Sequence, residues 1–405
     1  MMESNLIAGY EGLKLLIVSS YWPTKANPIS GIFVVQQVEA LLKLGVEVTV
    51  LLGGPFGKPS MNYLNACDLK INFKNFKLIE SKTLRLPESL SSMPCALKLN
   101  TLLNGYVNKA CIKNMVVKYG SFDGCIVHGL RYSGLSAQIW LKEINGNSVI
   151  VVHGVDPYFE NVKNIKKSQA IIGKSLEFMY SLVVVGSPLL SHLNKLGIKN
   201  DKIKVIANGT KVINLNQVNS YQRSSSEKRI VLSVSNLTQI KGIDYNLKAL
   251  SEISMQYPET KWEYRIVGDG AERDKLIRLS KSLGISDQVV FLGRLSYEDT
   301  MHEIANADIF SLPSWGEAFG IVYLEAMMRM KPVIGCFENG AADIIDNNYD
   351  GILIPPKNYK LLADALLYLI RNPEQCGEMG EQARLKAEKF SWTSNAENIL
   401  KYLKA

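Results

Sequence analysis

The sequence predicts an α/β protein of two successive doubly wound, Rossmann-like domains. Three observations carry that expectation. The 405 residues are too many for one ordinary core at about 150 residues per domain. Short apolar runs bounded by turn residues alternate with stretches of helical period, which is how a parallel sheet covered on both faces reads. The alternation breaks once, at the polar stretch 214–228 with its three consecutive serines, and then restarts. The expected divisions are a first domain over 1–213, a linker over 214–228, a second domain over 229–385, and a helical tail over 386–405 with the option of packing back on the first domain.

The first strand is expected over 13–20, an apolar run followed by a Pro- and Asn-containing loop. A helix follows, because Phe33, Val34, Val38, Leu41 and Leu42 recur at helical spacing and Gly45 is a plausible stop. A second strand over 46–52 completes a βαβ unit. Further short apolar strands are expected over 124–128, 149–153, 182–185 and 204–206. Beyond the linker, strands over 230–234, 264–267, 289–292, 309–312 and 333–334 alternate with helices starting near Asp244, Ala271, Tyr297 and Ile321. From Tyr359 onward the pattern is mostly helical.

Apolar residues make up 47% of the chain and charged residues 21%, values that exclude a disordered, collagenous or coiled-coil protein. The formal charge is +8, unevenly spread: residues 1–207 carry +10 and the remainder −2. Such asymmetry suits an anionic partner for the first half, a membrane surface or a phosphorylated substrate ahead of nucleic acid, with a lysine-rich solvated surface as the plain alternative. The six cysteines (67, 95, 111, 125, 336 and 376) form no CxxC pair, so reduced thiols, mostly in cores, are expected rather than a zinc site or a disulfide framework. Glu3 and Glu11 stand where a signal peptide would carry positive charge. With no apolar run near ~18 residues, a cytoplasmic protein is expected, with peripheral membrane contact left open.

The segment 313–328 reads PSWGEAFGIVYLEAMM. A strand ends near Leu312, a glycine-containing loop follows, and a helix starts near Ile321. Backbone N–H groups around Phe319 and Gly320 would therefore sit at a helix N-terminus, suited to a diphosphate or to sugar hydroxyls. Glu317 and Glu325 flank that turn, and carboxylates so placed accept hydrogen bonds from vicinal hydroxyls. Two surface glutamates at either side of a turn are the bland alternative.

This stretch, with Lys331, Pro332 and Val333 after it, resembles the Glu-x₇-Glu motif of retaining GT-B glycosyltransferases, specifically family four. The neighbouring segments SVSNL (233–237), Lys241 with Gly242, IVGDG (266–270), VFLG (290–293) and GILIP (351–355) fit the same family, as do Ser30 with Gly31, His153 with Gly154, and Asn208 with Gly209. The resemblance implies a GT-B architecture, two Rossmann-like domains facing each other across a cleft. It implies transfer of a hexose-type sugar from a nucleotide diphosphate donor, with no cofactor and no metal. Donor binding falls on Gly31, Asn236, Lys241, Glu317, Ala318, Phe319, Gly320, Ile321 and Glu325. Lys241 would hold the diphosphate, Glu317 the sugar, Glu325 the ribose, and His153 would reach the reaction centre.

Relatives commonly carry an Arg where this chain has Asn236, so Arg131 and Arg294 become candidates to supply the missing cation. Asp343 stands where relatives often carry a Glu, and its role is open. His128 and Arg131 are expected on the acceptor side. Gly31 lets the backbone approach a phosphate, with Ser30 also placed to cap the helix. Between 63 and 118, lysines interleaved with apolar residues suit anionic lipid, each basic group near the surface contributing ~1 kcal/mol, with ordinary amphipathic helices packed on a sheet as the plain alternative. The implied acceptor is a glycan or a polyprenyl-diphosphate-linked glycan of cell-surface polysaccharide assembly, met on the inner face of the cytoplasmic membrane, with no nucleic acid involved. A sugar-nucleotide epimerase and a non-catalytic sugar-nucleotide-binding subunit are the alternatives. A dehydrogenase is disfavoured, because no G-x-G-x-x-G follows a first strand.

Overall fold

The computed structural model describes residues 10–55, 63–71, 73–83, 94–154, 181–195, 197–198, 203–214 and 228–404. They fall into two units, unit 1 from residues 1–208 with 392–405 and unit 2 from residues 209–391. The divisions thus lie at 208/209 and 391/392, where the sequence placed them after 213 and 385. Of the expected linker, only Asn214 and Lys228 are among the described residues.

Unit 1 is built on a seven-stranded parallel sheet in the order β3-β2-β1-β4-β5-β6-β7. Its strands are β1 (Lys14–Ser19), β2 (Glu47–Pro55), β3 (Phe76–Thr83), β4 (Gly124–His128), β5 (Ser148–Val152), β6 (Ser181–Val184) and β7 (Ile203–Val205). Leu15, Leu16, Ile17 and Val18 of β1 are all buried, as a central parallel strand covered on both faces requires. Helix α1 (Ile32–Lys43) returns from β1 to β2. Its N-cap is Gly31, in the left-handed region with φ +73, and no side chain caps it. The expected cap by Ser30 is therefore corrected: the chain turns into the helix one residue later, and the Ser30 N–H goes to the Asn27 carbonyl.

Strand β3 and helix α2 (Pro94–Tyr119) were not expected. Lys77, Glu80 and Lys82 interrupt the apolar run of β3, which lies at the sheet edge. Helix α3 (Pro188–Lys195) follows β6.

Unit 2 holds a six-stranded parallel sheet in the order β10-β9-β8-β11-β12-β13. The strands are β8 (Arg229–Val234), β9 (Trp262–Val267), β10 (Val289–Gly293), β11 (Ile309–Ser311), β12 (Val333–Cys336) and β13 (Gly351–Ile354). Between and after them run α4 (Ile243–Gln256), α5 (Arg273–Ser282), α6 (Tyr297–Asn306), α7 (Ile321–Met327), α8 (Tyr359–Arg371) and α9 (Pro373–Ala387). A buried polar cluster ties α4 to the sheet. The Asn246 amide donates to Ser233 Oγ (3.1 Å) and the Tyr264 hydroxyl (3.0 Å), and Ser311 Oγ donates to Asn246 Oδ1 (2.7 Å). With their partners supplied, these buried polar groups fix α4 in one register.

The last helix, α10 (Trp392–Lys404), belongs to unit 1. The Gln37 amide of α1, almost wholly buried, donates to Asn395 Oδ1 at 2.7 Å. The Trp392 indole N–H donates to Gln36 Oε1 at 2.8 Å, and the Asn147 amide to the Leu403 carbonyl at 2.9 Å. Cys125, Cys336 and Cys376 are buried, whereas Cys67 and Cys95 are exposed and Cys111 is half-buried, so half of the thiols depart from the core placement expected of them.

Met330, between α7 and β12, adopts φ +58. For an L-residue that conformation costs roughly 1–2 kcal/mol, while glycine adopts it freely at some cost in unfolded-chain entropy. Met330→Gly is therefore expected to raise the stability of unit 2 by about 0.5 kcal/mol. Its urea midpoint checks this, and an unchanged or lower midpoint contradicts it.

Candidate functional site

In a doubly wound sheet the ligand site lies at the carboxyl ends of the strands where the order reverses. In unit 2 that point lies between β8 and β11, in unit 1 between β1 and β4. Most residues singled out in the sequence stand at one or the other.

In unit 2, the turn Gln239–Lys241 after β8 is docked on the loop after β11. The Trp315 N–H and Ser314 Oγ both donate to the Ile240 carbonyl, each at 3.0 Å. A Cβ on Gly242 would lie 2.4 Å from the Pro313 carbonyl oxygen, and its φ is +69, so the approach requires glycine. This docking brings Lys241 to Glu317: Nζ and Oε1 are 2.5 Å apart, with side chains 18% and 12% exposed. From the other side the Asn339 amide donates to the Ser314 carbonyl (2.7 Å), and the Gly340 N–H to the Glu317 carbonyl (3.0 Å). Glu317 is thus held through its backbone by one turn and through its carboxylate by another.

Gly320 caps α7 in the left-handed region with φ +92, and α7 has seven residues. Ala318 and Ile321 are half-buried, and the Phe319 ring is buried, 6.2 Å from that of Phe390. Glu325 points into the protein. Burial pushes its carboxyl up to about 7, although Arg329 and a hydrogen bond from Tyr297 act the other way. Asn236 is exposed in the β8–α4 loop. Arg294 is exposed just beyond β10, two strands from β8.

In unit 1, His128 ends β4 and His153 follows β5, and the register pairs His128 with Val151. The rings stack at 5.0 Å, with His128 Nδ1 2.8 Å from His153 Nε2. One proton is shared in that contact. His153 also meets Phe33 at 4.3 Å and Tyr21 edge-on at 6.0 Å. These two aromatics were not singled out in the sequence, where Tyr21 reads as loop and Phe33 as core. His128 is fully buried. Its ring is covered, with Nδ1 against His153, so the expectation of an acceptor-side position meets a side chain that is not exposed.

Arg131 lies in the helical turn Leu130–Gly134 just past β4, half-buried. Gly31 has φ +73, and a Cβ there would lie 2.4 Å from the Trp22 backbone nitrogen. The requirement for glycine is thus met inside the loop itself. Among the described residues, no group of three or more His, Cys, Asp or Glu is placed to hold a metal ion, and no helix is long and apolar enough to cross a membrane.

Burial holds the His128 imidazole down at about 3, and burial together with the His128 charge lowers His153. In the unfolded chain both titrate near 6.5. Their neutral folded forms therefore stabilise unit 1 fully above pH 6.5, and that stability is lost as pH falls from 6.5 toward 3, at up to about 1.4 kcal/mol per pH unit for His128. Glu325 acts oppositely in unit 2, which weakens as pH rises from 4.5 to about 7. Calorimetry at pH 7.5 and 5.5 is expected to show the unit 1 transition falling by roughly 3–6 °C, with the fall reduced in His128→Asn. A unit 1 transition indifferent to pH contradicts the assignment.

The model of the family described as glycosyl transferases group 1 matches residues 218–386. Within the matched segment lie Lys241, Glu317 and Glu325. An uncharacterised glycosyltransferase of Haemophilus influenzae is 31% identical over 194 residues, 47% of this chain and 52% of that protein. The chain thus spans about half the length of the curated relatives it matches. Sucrose-phosphate synthase from Thermosynechococcus elongatus superimposes with a TM-score of 0.75 at 19% identity, covering 97% of this chain and 98% of that one. Anabaena HepE in complex with UDP-glucose does so with a TM-score of 0.69 at 18% identity, covering 97% and 99%. The two doubly wound units of this chain have the GT-B fold.

Proposed function

We propose that the protein is a retaining glycosyltransferase that moves a hexose-type sugar from a nucleotide diphosphate sugar to a hydroxyl of a lipid-linked glycan in cell-surface polysaccharide assembly. The observation that carries this reading is the Lys241–Glu317 pair at the switch point of unit 2, inside the segment that matches the group 1 transferases. A diphosphate carries about two negative charges and outcompetes one carboxylate for the ammonium. Donor binding then moves Lys241 onto the phosphates and frees Glu317 to accept hydrogen bonds from the sugar hydroxyls. Lys241 stabilises the charge that builds on the departing diphosphate. Glu325 accepts from the ribose, and His153 meets the donor sugar. HepE, whose structure holds UDP-glucose, makes a UDP-sugar the first donor to try.

No carboxylate is positioned as a nucleophile in this reading, so the acceptor oxygen bonds to the anomeric carbon on the face from which the phosphate oxygen leaves. The acceptor proton passes to that phosphate oxygen. No metal takes part, and the acceptor is met at the cytoplasmic membrane surface. NMR of the product tests the reading: retained anomeric configuration and unchanged turnover in EDTA are expected, whereas clean inversion or abolition by EDTA overturns it. Asn236, in place of a cation, favours a second reading as a nucleotide-sugar-binding subunit; a protein that binds the donor yet never transfers from it would establish that reading instead.

A further inference from the structure

Helix α2 carries apolar residues on both of its faces: Ala96, Leu97, Ile112 and Met115 are buried, and a second set faces outward. The row it turns toward unit 1 is rich in polar residues: Asn100, Thr101, Asn104 and Asn108 are all buried. They are satisfied locally. Thr101 Oγ1 donates to the Leu97 carbonyl (2.8 Å), the Asn104 amide to the Asn100 carbonyl (2.7 Å), and Ser81 Oγ to Asn108 Oδ1 (3.0 Å). Gly105 sits against Ile139 so closely that a Cβ would lie 2.2 Å from its Cδ1, which sets the helix flat on the unit.

The opposite row is apolar as well. Leu99 is 43% exposed, Leu102 38%, Tyr106 64% and Val117 88%. Cys95 and Ala110 lie exposed in the same row, and its one charge is Lys113. Steps of three and four residues keep these positions on one face. From Cys95 to Val117 the row runs about 33 Å at the rise of an α-helix. An apolar row of that length facing water, interrupted by Lys113, marks a surface built for contact.

The charge of the helix selects the partner. Between 94 and 119 there are four lysines (98, 109, 113 and 118) and no Asp or Glu. The acid beside them is Glu143, 3.5 Å from Lys109 and 3.8 Å from Lys113. A second copy of the helix packed along this row would set lysines against lysines with no carboxylate on either helix, a like-charge pairing. An anionic lipid surface takes the apolar row into the headgroup boundary and meets the flanking lysines with lipid charge.

We propose that the outer row of α2 is the face by which the protein rests on an anionic membrane. This deepens the proposed function by naming the surface that would bring the enzyme to a lipid-linked acceptor, and it rests on that reading only for its purpose. The full chain should co-sediment with phosphatidylcholine vesicles that contain phosphatidylglycerol, and less so as salt rises. Leu102→Ser/Tyr106→Ser is expected to lower the partition coefficient about tenfold or more, and Lys98→Glu/Lys118→Glu to remove the preference for phosphatidylglycerol. Both sites are exposed, and unchanged thermal transitions confirm intact folding. No binding, equal binding by the serine variant, or equal binding to pure phosphatidylcholine overturns the proposal. A lipid-free dimer that Tyr106→Ser dissolves overturns it in favour of a second copy. Transfer to a soluble acceptor without lipid separates the two readings: intact transfer with no vesicle binding refutes only the docking face, and vesicle binding with no transfer refutes only the transferase.

Discussion

Lys241→Ala is expected to lower kcat for sugar transfer by about 10²–10³-fold, the range seen when one preorganised donor to a developing negative charge is removed. The donor is first chosen by thermal shift from UDP-, GDP- and ADP-sugars. Two effects are combined in that variant. The diphosphate loses a cation, and Glu317, 12% exposed, is left without its ionic partner in the free enzyme. Glu317→Gln and the double variant complete a cycle that separates them. In the proposed mechanism the two residues serve different parts of the donor once it binds, so their effects on kcat should be nearly additive, while their effects on stability should be strongly coupled. Full transfer activity in Lys241→Ala would remove the electrostatic core of the proposal.

Gly31→Ala is expected to weaken unit 1 by about 2–4 kcal/mol, the sum of left-handed strain at an L-residue and overpacking against fixed backbone. The new methyl would lie 2.4 Å from the Trp22 nitrogen and 2.6 Å from the Tyr21 carbonyl carbon, and neither can swing aside as a side-chain end would. The sequence reading gave this glycine to a phosphate. Such a role predicts a raised donor KM with unchanged stability. A fall in the thermal transition of unit 1 with donor affinity retained supports the loop-closing role, and a KM effect alone restores the phosphate.

Most of unit 2 was legible because its local signals agree with its topology. The starts of α6 and α7 fall at the expected residues, and those of α4 and α5 within two of them. What could not be read is contact across long sequence separations. Lys241 and Glu317 were each singled out, yet their pairing depends on the Ile240 carbonyl receiving two donors from the loop after β11. The His128–His153 contact depends on β4 and β5 being neighbours in register. Helix α2 escaped for a different reason. Its apolar residues lie on both faces, with asparagines among those turned inward, so no single apolar stripe marks it. The aromatic contacts of Tyr21 and Phe33 with His153 arise from the fold of the β1–α1 loop, which no periodicity announces.

Because α10 completes unit 1 although it follows unit 2 in the chain, the order of maturation on the ribosome is reversed. Domains generally fold as units while synthesis proceeds from the N-terminus. Here the stretch 209–391 is whole before its predecessor is. Until Trp392 and Asn395 emerge to meet Gln36 and Gln37, the nascent first unit must wait with the face of α1 uncovered. A stop codon just after Ser391 would therefore harm the distant first half of the polypeptide while sparing the half to which it is joined.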